Sequence, residues 1–401
     1  MIIYFQIVLV FFLLIFLKSF IRLIRSSLYL KKYSKKEIKY TGDKKLSILM
    51  PVYKEVPNIE KSVVFFKELS KICNVYYITT SKEKDGATYK EVEKQIKKHK
   101  TTNIFLENCP NEVGTMATQI NFMAKKLEDD AIIGLYNIDS FPEVKTFEYV
   151  LSSIKQGECL QQVSYFDDDL KGVMSSAQDW QNRWSVVYEM GKMTNKSTFM
   201  NFTYTIGHGL FIYKKDLAQI GYWSDTFLNE DNELGYRMAV NKFKIRPIPY
   251  MEKADFAKNA KIYVKQQSVW INGPLYAFSY YKEYKKTDKK GSFLSAILNF
   301  KAAVSWLCLP WFFAANIIAA AFFNIWVSLA LLGSLILYLS VINLGTRLTL
   351  YKRGYLKKPF AKHFLISDIL FFFLHTFGPI RTLFKIMAGK NTIKNKYKTE
   401  K

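Results

Sequence analysis

Leu46-Ser47-Ile48-Leu49-Met50-Pro51-Val52-Tyr53-Lys54-Glu55 decides the fold. The uncharged run Leu46 to Met50 predicts a short buried strand. Pro51 closes it, because a proline has no amide to give to a sheet ladder. The following stretch, Asn58 to Ile72, predicts a helix, so the segment reads as the first strand–loop–helix unit of an α/β sheet. The pattern recurs with a strand at Val75 to Thr80, a helix at Tyr89 to Lys98 and a strand at Asn103 to Leu106. A helix with Met116, Ile120, Met123 and Leu127 on its apolar face leads to a strand at Ala131 to Tyr136. Open sheets of this kind bind ligands beyond the carboxyl ends of their strands. Attention therefore falls on the segments that leave those ends: Thr79-Thr80-Ser81, Asn111 to Thr115, and Asn137-Ile138-Asp139-Ser140.

Composition narrows the class. The chain has 401 residues, is 49% hydrophobic and 16% aromatic, and carries a formal net charge of +24. A soluble protein this basic would point to nucleic acid. Here the apolar residues concentrate at both ends, so a membrane accounts for the charge and no nucleic-acid partner is expected. Cys73, Cys109, Cys159 and Cys308 show no C-x-x-C spacing, so neither a zinc site nor a disulfide framework is expected.

A second stretch carries the chemistry. Asn229-Glu230-Asp231-Asn232-Glu233 crowds three acids at the start of a helix, where the helix dipole favours them. A carboxylate held over a pocket there can act as a general base. Upstream, Gly207-His208-Gly209 runs into the apolar strand Leu210 to Tyr213. Gln161-Gln162-Val163 reads as a strand floor, Asp167-Asp168-Asp169 as a solvated turn, and Trp180, Trp184 and Tyr188 as one packing face of a helix from Ser175 to Met190.

The ordered set resembles glycosyltransferase family 2. It consists of the strand with Pro51-x-Tyr53-x-Glu55, the helix bearing Asn111, Gly114 and Asn121, Asn137-x-Asp139-Ser140, the Gly207/Gly209 strand and Glu230-Asp231. It is most similar to the membrane-embedded branch that includes cellulose and hyaluronan synthases, over roughly Leu46 to Pro274. The resemblance implies a GT-A (Rossmann-like) α/β fold, a nucleotide-sugar donor with uridine, the family's commonest base, and Mg²⁺ or Mn²⁺ at Asp139. It assigns Asp231 as catalytic base with Glu230 in support. Donor binding falls to Pro51, Tyr53, Glu55, Thr80, Asn111, Gly114, Asn137 and Asp139. Acceptor binding falls to His208, Gly209, Gln266 and Trp270. The sequence departs from the family where Asn137 replaces the first acid of Asp-x-Asp, where Thr79-Thr80-Ser81 stands for an acidic nucleotide-contacting stretch, and where Val269 replaces the Arg of Gln-x-x-Arg-Trp.

Membrane segments frame this core. Ile2 to about Phe20 predicts a spanning helix, with Arg22, Arg25, Lys31, Lys32, Lys35 and Lys36 marking the cytoplasmic side. Residues 275–299 read as an interfacial amphipathic segment and 300–346 as a helical hairpin. Residues 347–401 read as a basic loop, a third membrane or re-entrant segment around 364–386, and a basic tail. The expected layout is thus a membrane helix (1–25), a linker (26–45), a catalytic domain (46–274) and the membrane region, in a multi-pass protein of the cell membrane with its catalytic domain cytoplasmic. The expected function is transfer of a sugar from a nucleotide diphosphate to a glycan or lipid acceptor for cell-surface polysaccharide or glycolipid synthesis. A homo-oligomer or a polysaccharide-export partner fits this reading. The substitutions at Asn137, Thr79-Thr80 and Val269 fit a competing one, a non-catalytic assembly subunit that kept the fold. A small-solute transporter is disfavoured by the few spans and the large α/β core.

Overall fold

The computed structural model of the protein describes residues 2–33, 45–195, 201–286, 291–360, 363 and 365–389. Lys35, Lys36 and the basic tail Lys390, Lys394, Lys396, Lys398 and Lys401 lie outside the described residues. A long N-terminal helix, α1 (Ile2–Tyr33), precedes one mixed sheet. Its seven strands are β1 (Leu46–Pro51), β2 (Asn74–Thr80), β3 (Ile104–Cys109), β4 (Ile132–Leu135), β5 (Glu158–Gln161), β7 (Leu210–Tyr213) and β8 (Lys244–Pro247). Their spatial order is β3-β2-β1-β4-β7-β5-β8, and β6 (Ser164–Tyr165) pairs with β9 (Glu252–Lys253) as a separate ribbon. β1 is parallel to β2 and β4, whereas β7 runs antiparallel to β4 and β5. The chain reverses its progress across the sheet between β3 and β4, which creates a switch point beside β1. The strand expected to stop at Leu106 continues to Cys109. β3 is an edge strand, and an edge has a solvent side that accepts Glu107 and Asn108.

Both faces of the sheet are covered, which is why its strands read as continuous apolar runs. On one face Ile48, Met50 and Tyr77 meet Ile59, Val63 and Phe66 of α2 (Val56–Leu69) and Phe147 and Val150 of α5 (Val144–Ser153). On the same face α3 (Ala87–His99) packs beside α2. On the other face Leu49, Ile133 and Leu135 meet Ile120 and Ala124 of α4 (Met116–Ala124). That second core continues without a break through α6 (Gly172–Arg183) to the membrane helices.

The helix expected from Ser175 to Met190 is not uniform. After α6 the backbone widens into a π-helix over Trp184–Met190, then tightens into α7 (Gly191–Met193). The widened turn splits the aromatic face. Trp180 packs on Phe371, Phe372 and His375, whereas Trp184 and Tyr188 stack on each other 4.9 Å apart. The remaining helices are α8 (Lys214–Gln219), α9 (Glu230–Val240), α10 (Ala260–Trp270), α11 (Asn272–Leu275), α12 (Ala277–Lys285), α13 (Phe293–Phe323), α14 (Ile325–Tyr351), α15 (Leu365–Leu374) and α16 (Phe377–Met387).

Among the described residues, four helical stretches are long and apolar enough to cross a membrane: Ile2–Tyr33, Phe293–Phe323, Ile325–Tyr351 and Leu365–Met387. α1 extends well past Phe20, because its basic half docks on the sheet domain. Ser26 Oγ donates to the Val186 carbonyl (2.7 Å) and the Tyr29 hydroxyl donates to the Pro247 carbonyl. The fourth stretch is broken at His375–Thr376 into α15 and α16. Its second half lies along α10, where Thr382 Oγ1 donates to the Ser268 carbonyl (2.6 Å).

A buried polar cluster ties these helices to the sheet domain. Arg347 of α14 pairs with Asp179 of α6, and His363 Nε2 lies 2.9 Å from Asp368 Oδ1 of α15. Removing one partner of a buried ion pair leaves an uncompensated charge, at a cost of about 3–5 kcal/mol. Arg347→Met is therefore expected to lower the thermal unfolding midpoint in detergent, and the double variant Asp179→Leu/Arg347→Met is expected to recover most of that loss, as read by scanning fluorimetry.

Candidate active site

Antiparallel pairing of β4 with β7 brings three separated segments to one edge of the sheet. Leu135 stands opposite Leu210, and the Gly209 N–H donates to the Leu135 carbonyl (2.7 Å). The Gln162 N–H in turn donates to the Gly209 carbonyl (2.7 Å). The loop after β4 with Asn137 and Asp139, the approach to β7 with Gly207 to Gly209, and the end of β5 thus share that edge. Gly209 is needed for the crossing itself. Its φ is +65°, and a Cβ there would stand 2.7 Å from Gln162 Cβ. The space a side chain would need there is taken by Gln162.

Asp231 arrives at the same edge on α9. Thr205 Oγ1 donates to the Asp231 carbonyl (2.6 Å). Gly235 lets the helix close on the chain, since a Cβ there would lie 2.6 Å from Tyr204 Cα. Asp231 Oδ2 lies 3.6 Å from the position of a Cβ on Gly207. The three acids of this stretch divide their roles. Asp231 is half-buried, Glu230 is buried, and Glu233 is paired within the helix to Arg237 (2.7 Å), which also holds the carbonyls of Ile220 and Tyr222.

His208 connects this side of the site to the Asp139 loop. Its Nδ1 lies 3.2 Å from Glu252 Oε2, and its Nε2 lies 3.5 Å from Ser164 Oγ. The other oxygen of Glu252 accepts the Phe141 N–H (3.2 Å), two residues beyond Asp139. Burial opposes the His208 cation, but the hydrogen bond and charge of Glu252, with Glu189 and Asp231, outweigh it and raise its pKa. Burial likewise raises the Glu189 carboxyl, against the hydrogen bond it accepts from the Tyr204 hydroxyl (2.9 Å) and the charge of His208. Glu252 and Tyr204 carry no motif in the sequence. Glu252 sits in a two-residue strand whose pairing with β6 depends on the folded chain.

The expected donor residues gather along β1 and β2. Tyr53 is flanked by the ammonium groups of Lys54 (5.4 Å) and Lys82 (5.5 Å). Lys82 Nζ also donates to the Gly114 carbonyl (3.3 Å), and Thr80 Oγ1 donates to the Asn111 carbonyl (3.0 Å). A cavity of about 470 Å³ opens beside them, lined by Thr79, Thr80, Ser81, Tyr89 and Asn108 among others. Its Glu83 is already engaged, accepting from the N–H of Lys54 (3.1 Å) and from the N–H and hydroxyl of Thr88 (3.1 and 2.9 Å). That grip holds Lys54 in the left-handed region at φ 55°, a strained position for a side chain other than glycine.

Other expected residues lie on or beside these elements. Pro51 pairs with Ile78 at the end of β1. Glu55 precedes α2 and accepts from Asn58 Nδ2 (2.9 Å). Asn121 clasps Trp223, donating to its carbonyl (2.7 Å) and accepting its N–H (3.1 Å). Gln266 and Trp270 lie on α10, which reaches α9 through α11, and Trp270 is exposed. Asp168 Oδ2 accepts the Phe256 N–H (2.8 Å), so the acidic turn organises a loop.

Residues 146–376 match the family described as glycosyl transferase family group 2. The chain belongs to this glycosyltransferase family. Among solved structures, the glycosyltransferase is similar to the mannosyltransferase PcManGT from Pyrobaculum calidifontis, determined in complex with GDP-Man and Mn²⁺. Identity is 15%, with 95% of this chain and 99% of that chain covered at a TM-score of 0.58. The similarity supports the GT-A fold. TarS 1–349 from S. aureus is more distant, at 11% identity and a TM-score of 0.40, with 87% of this chain and 93% of that one covered. No curated protein matches the sequence.

Among the described residues, no three His, Cys, Asp or Glu side chains converge on a metal-ligating group. A single strand-end carboxylate, Asp139, beside the Asn137 amide still fits Mg²⁺ or Mn²⁺. Mg²⁺ in particular is commonly held by one or two carboxylates with substrate phosphates and water completing its shell. The raised His208 pKa carries a pH signature. Its pairing with Glu252 contributes stability that is full below the ordinary histidine range and is lost as pH rises through the raised value. Glu252→Gln is expected to flatten that part of the melting temperature–pH curve in a fluorimetric titration, whereas Ser164→Ala is expected to leave its shape unchanged.

Proposed function

We propose that this glycosyltransferase moves a sugar from a nucleotide diphosphate, a UDP-sugar by the family's usage, to a glycan or lipid-linked acceptor at the cytoplasmic face of the membrane. The observation that carries the reading is the shared sheet edge: Asp231 faces Gly207, and Glu252 spans from His208 beside it to the loop that holds Asp139. In the proposed step Asp231 accepts the proton of an acceptor hydroxyl. The hydroxyl oxygen bonds to the anomeric carbon as the bond to the diphosphate breaks. A single displacement inverts that carbon. The base and ribose are assigned to the cavity beside Thr80. Lys54 and Lys82, ranged about Tyr53, offer positive charge to the phosphates. A divalent cation held by Asp139 would add charge that offsets the departing diphosphate. The basic half of α1 and the basic turn after α14 support a cytoplasmic catalytic domain.

The test is nucleotide release by the full-length protein in membranes supplied with UDP- or GDP-sugars, with and without Mn²⁺. GDP-sugars belong in the screen because PcManGT was solved with GDP-Man. General-base catalysis contributes about 10²–10⁴-fold, so Asp231→Asn is expected to lose activity by that order while keeping its melting temperature. Near wild-type turnover by Asp231→Asn would overturn the assignment of Asp231 as the base. Asp139→Asn is expected to raise the Mn²⁺ concentration needed for half-maximal release.

A further inference from the structure

A short loop joins the donor side of the site to the helix that carries Asp231. Residues 220–228 leave α8 and lead into α9. α4, the helix that follows Asn111 and Gly114, is fastened to the strand ends that lead to Tyr53 and Thr80. Its Gln119 Nε2 donates to the carbonyls of Val52 (3.2 Å) and Ile78 (2.9 Å). α4 therefore belongs to the donor side, and α9 bears the carboxylate on the other side.

The loop is tied to both helices. On the α4 side Asp225 Oδ1 accepts from the hydroxyls of Thr115 (3.2 Å) and Thr118 (2.8 Å), and Asn121 holds Trp223 by its carbonyl and its N–H. Thr118 Oγ1 also accepts the Thr115 N–H (3.1 Å), so Asp225 meets the start of α4 directly after Gly114. On the α9 side Arg237 donates to the carbonyls of Ile220 and Tyr222, and Glu233 orients its guanidinium with two bonds (2.8 and 2.7 Å). Between these ties Gly221 and Tyr222 lie in the left-handed region, at φ 90° and 61°. A tyrosine stays there only where its surroundings impose it. A cavity of about 250 Å³, lined by Ile220, Gly221, Phe227, Glu233 and Arg237 among others, lies where the loop meets α9. Close packing does not set the loop at that place, so the polar ties do. Asp225 itself is exposed and is no part of the apolar core.

We infer that Asp225 is a positioning residue: through Thr115 and Thr118 it links the donor-side segment 111–118 to the loop 220–228 and thereby to the first turn of α9. The inference rests on the proposed donor and base assignments and adds a coupling between them. A nucleotide that orders residues 111–118 also orders both hydroxyls that meet Asp225. The restriction then passes along the loop to Arg237 and α9, so occupancy of the donor side sharpens the placement of Asp231.

The test is hydrogen–deuterium exchange of the full-length protein in detergent, with UDP or GDP and Mn²⁺ and no sugar. In the wild type, nucleotide is expected to slow exchange over residues 53–83, over 111–118 and over 220–231. In Asp225→Ala the first two protections are expected to remain and the third to be lost, with the melting temperature unchanged. Asp225→Asn keeps an oxygen that can accept from both hydroxyls and is expected to retain the third protection. Thr118→Val, which removes a hydroxyl at the other end of the tie, is expected to lose it. In turnover, Asp225→Ala is expected to lower kcat at saturating donor about tenfold, as loss of a hydrogen-bonded charge allows. Protection of 53–83 and 111–118 that never reaches 220–231 in the wild type overturns the coupling and leaves the donor assignment standing. So does a third protection in Asp225→Ala equal to that of the wild type. A raised donor KM at unchanged kcat confines Asp225 to the donor side and likewise overturns the inference. Absence of protection at 53–83 and 111–118 with either nucleotide overturns the donor assignment itself, and the coupling with it.

Discussion

The arrangement depends on one strand running the other way. β7 inserts antiparallel between β4 and β5, so the chain enters it at the edge where the parallel strands end. Had β7 been parallel, Gly207 to Gly209 would open onto the opposite edge, away from Asp139. The Gly209 backbone bonds to Leu135 and Gln162 hold that crossing in register, and the left-handed glycine makes the close approach sterically allowed. The proximity of Asp231 to Gly207 and the reach of Glu252 from His208 to Phe141 follow from it.

A second constraint is that sheet and membrane helices share a core. Leu49, Ile133 and Leu135 belong to the same apolar cluster as Phe12, Phe313, Leu335 and Phe372. Polar contacts add direction to this packing. Asn299 of α13 donates to Asn232 (2.7 Å), the residue after Asp231, and Arg347 of α14 meets Asp179 of α6. α9 is thereby seated on a helix long enough to cross the bilayer, so its first turn has a set position relative to the membrane. The π-helical turn at Trp184–Met190 lies between these parts and directs Glu189 toward Tyr204 while Trp184 faces Trp306. Widened turns of this type are frequent at functional sites because they re-aim side chains without ending a helix.

The excess of positive charge is not spread evenly in its uses. Exposed lysines pair with exposed acids at little energetic consequence, as Lys98 does with Glu60. Lys54 and Lys82 flank Tyr53 on the sheet edge.

The α/β class, the strand ends that lead to Tyr53, Thr80 and Asp139, the acidic start of α9 and the apolar helices are all legible in the amino-acid sequence. Each of these is a local matter of periodicity, proline and charge within one short window. It also ran short for local reasons. The edge strand β3 outlasted its apolar residues, and the aromatic face from Trp180 to Tyr188 was divided by a π-turn that no residue pattern announces. Only the folded chain shows that β7 is antiparallel, that Glu252 reaches both His208 and Phe141, that Glu83 holds Lys54 and that Gly209 makes room for Gln162. These are pairings between segments far apart in the chain, set by strand direction and by which helix faces find room to pack, and such choices leave no trace in any single stretch of residues.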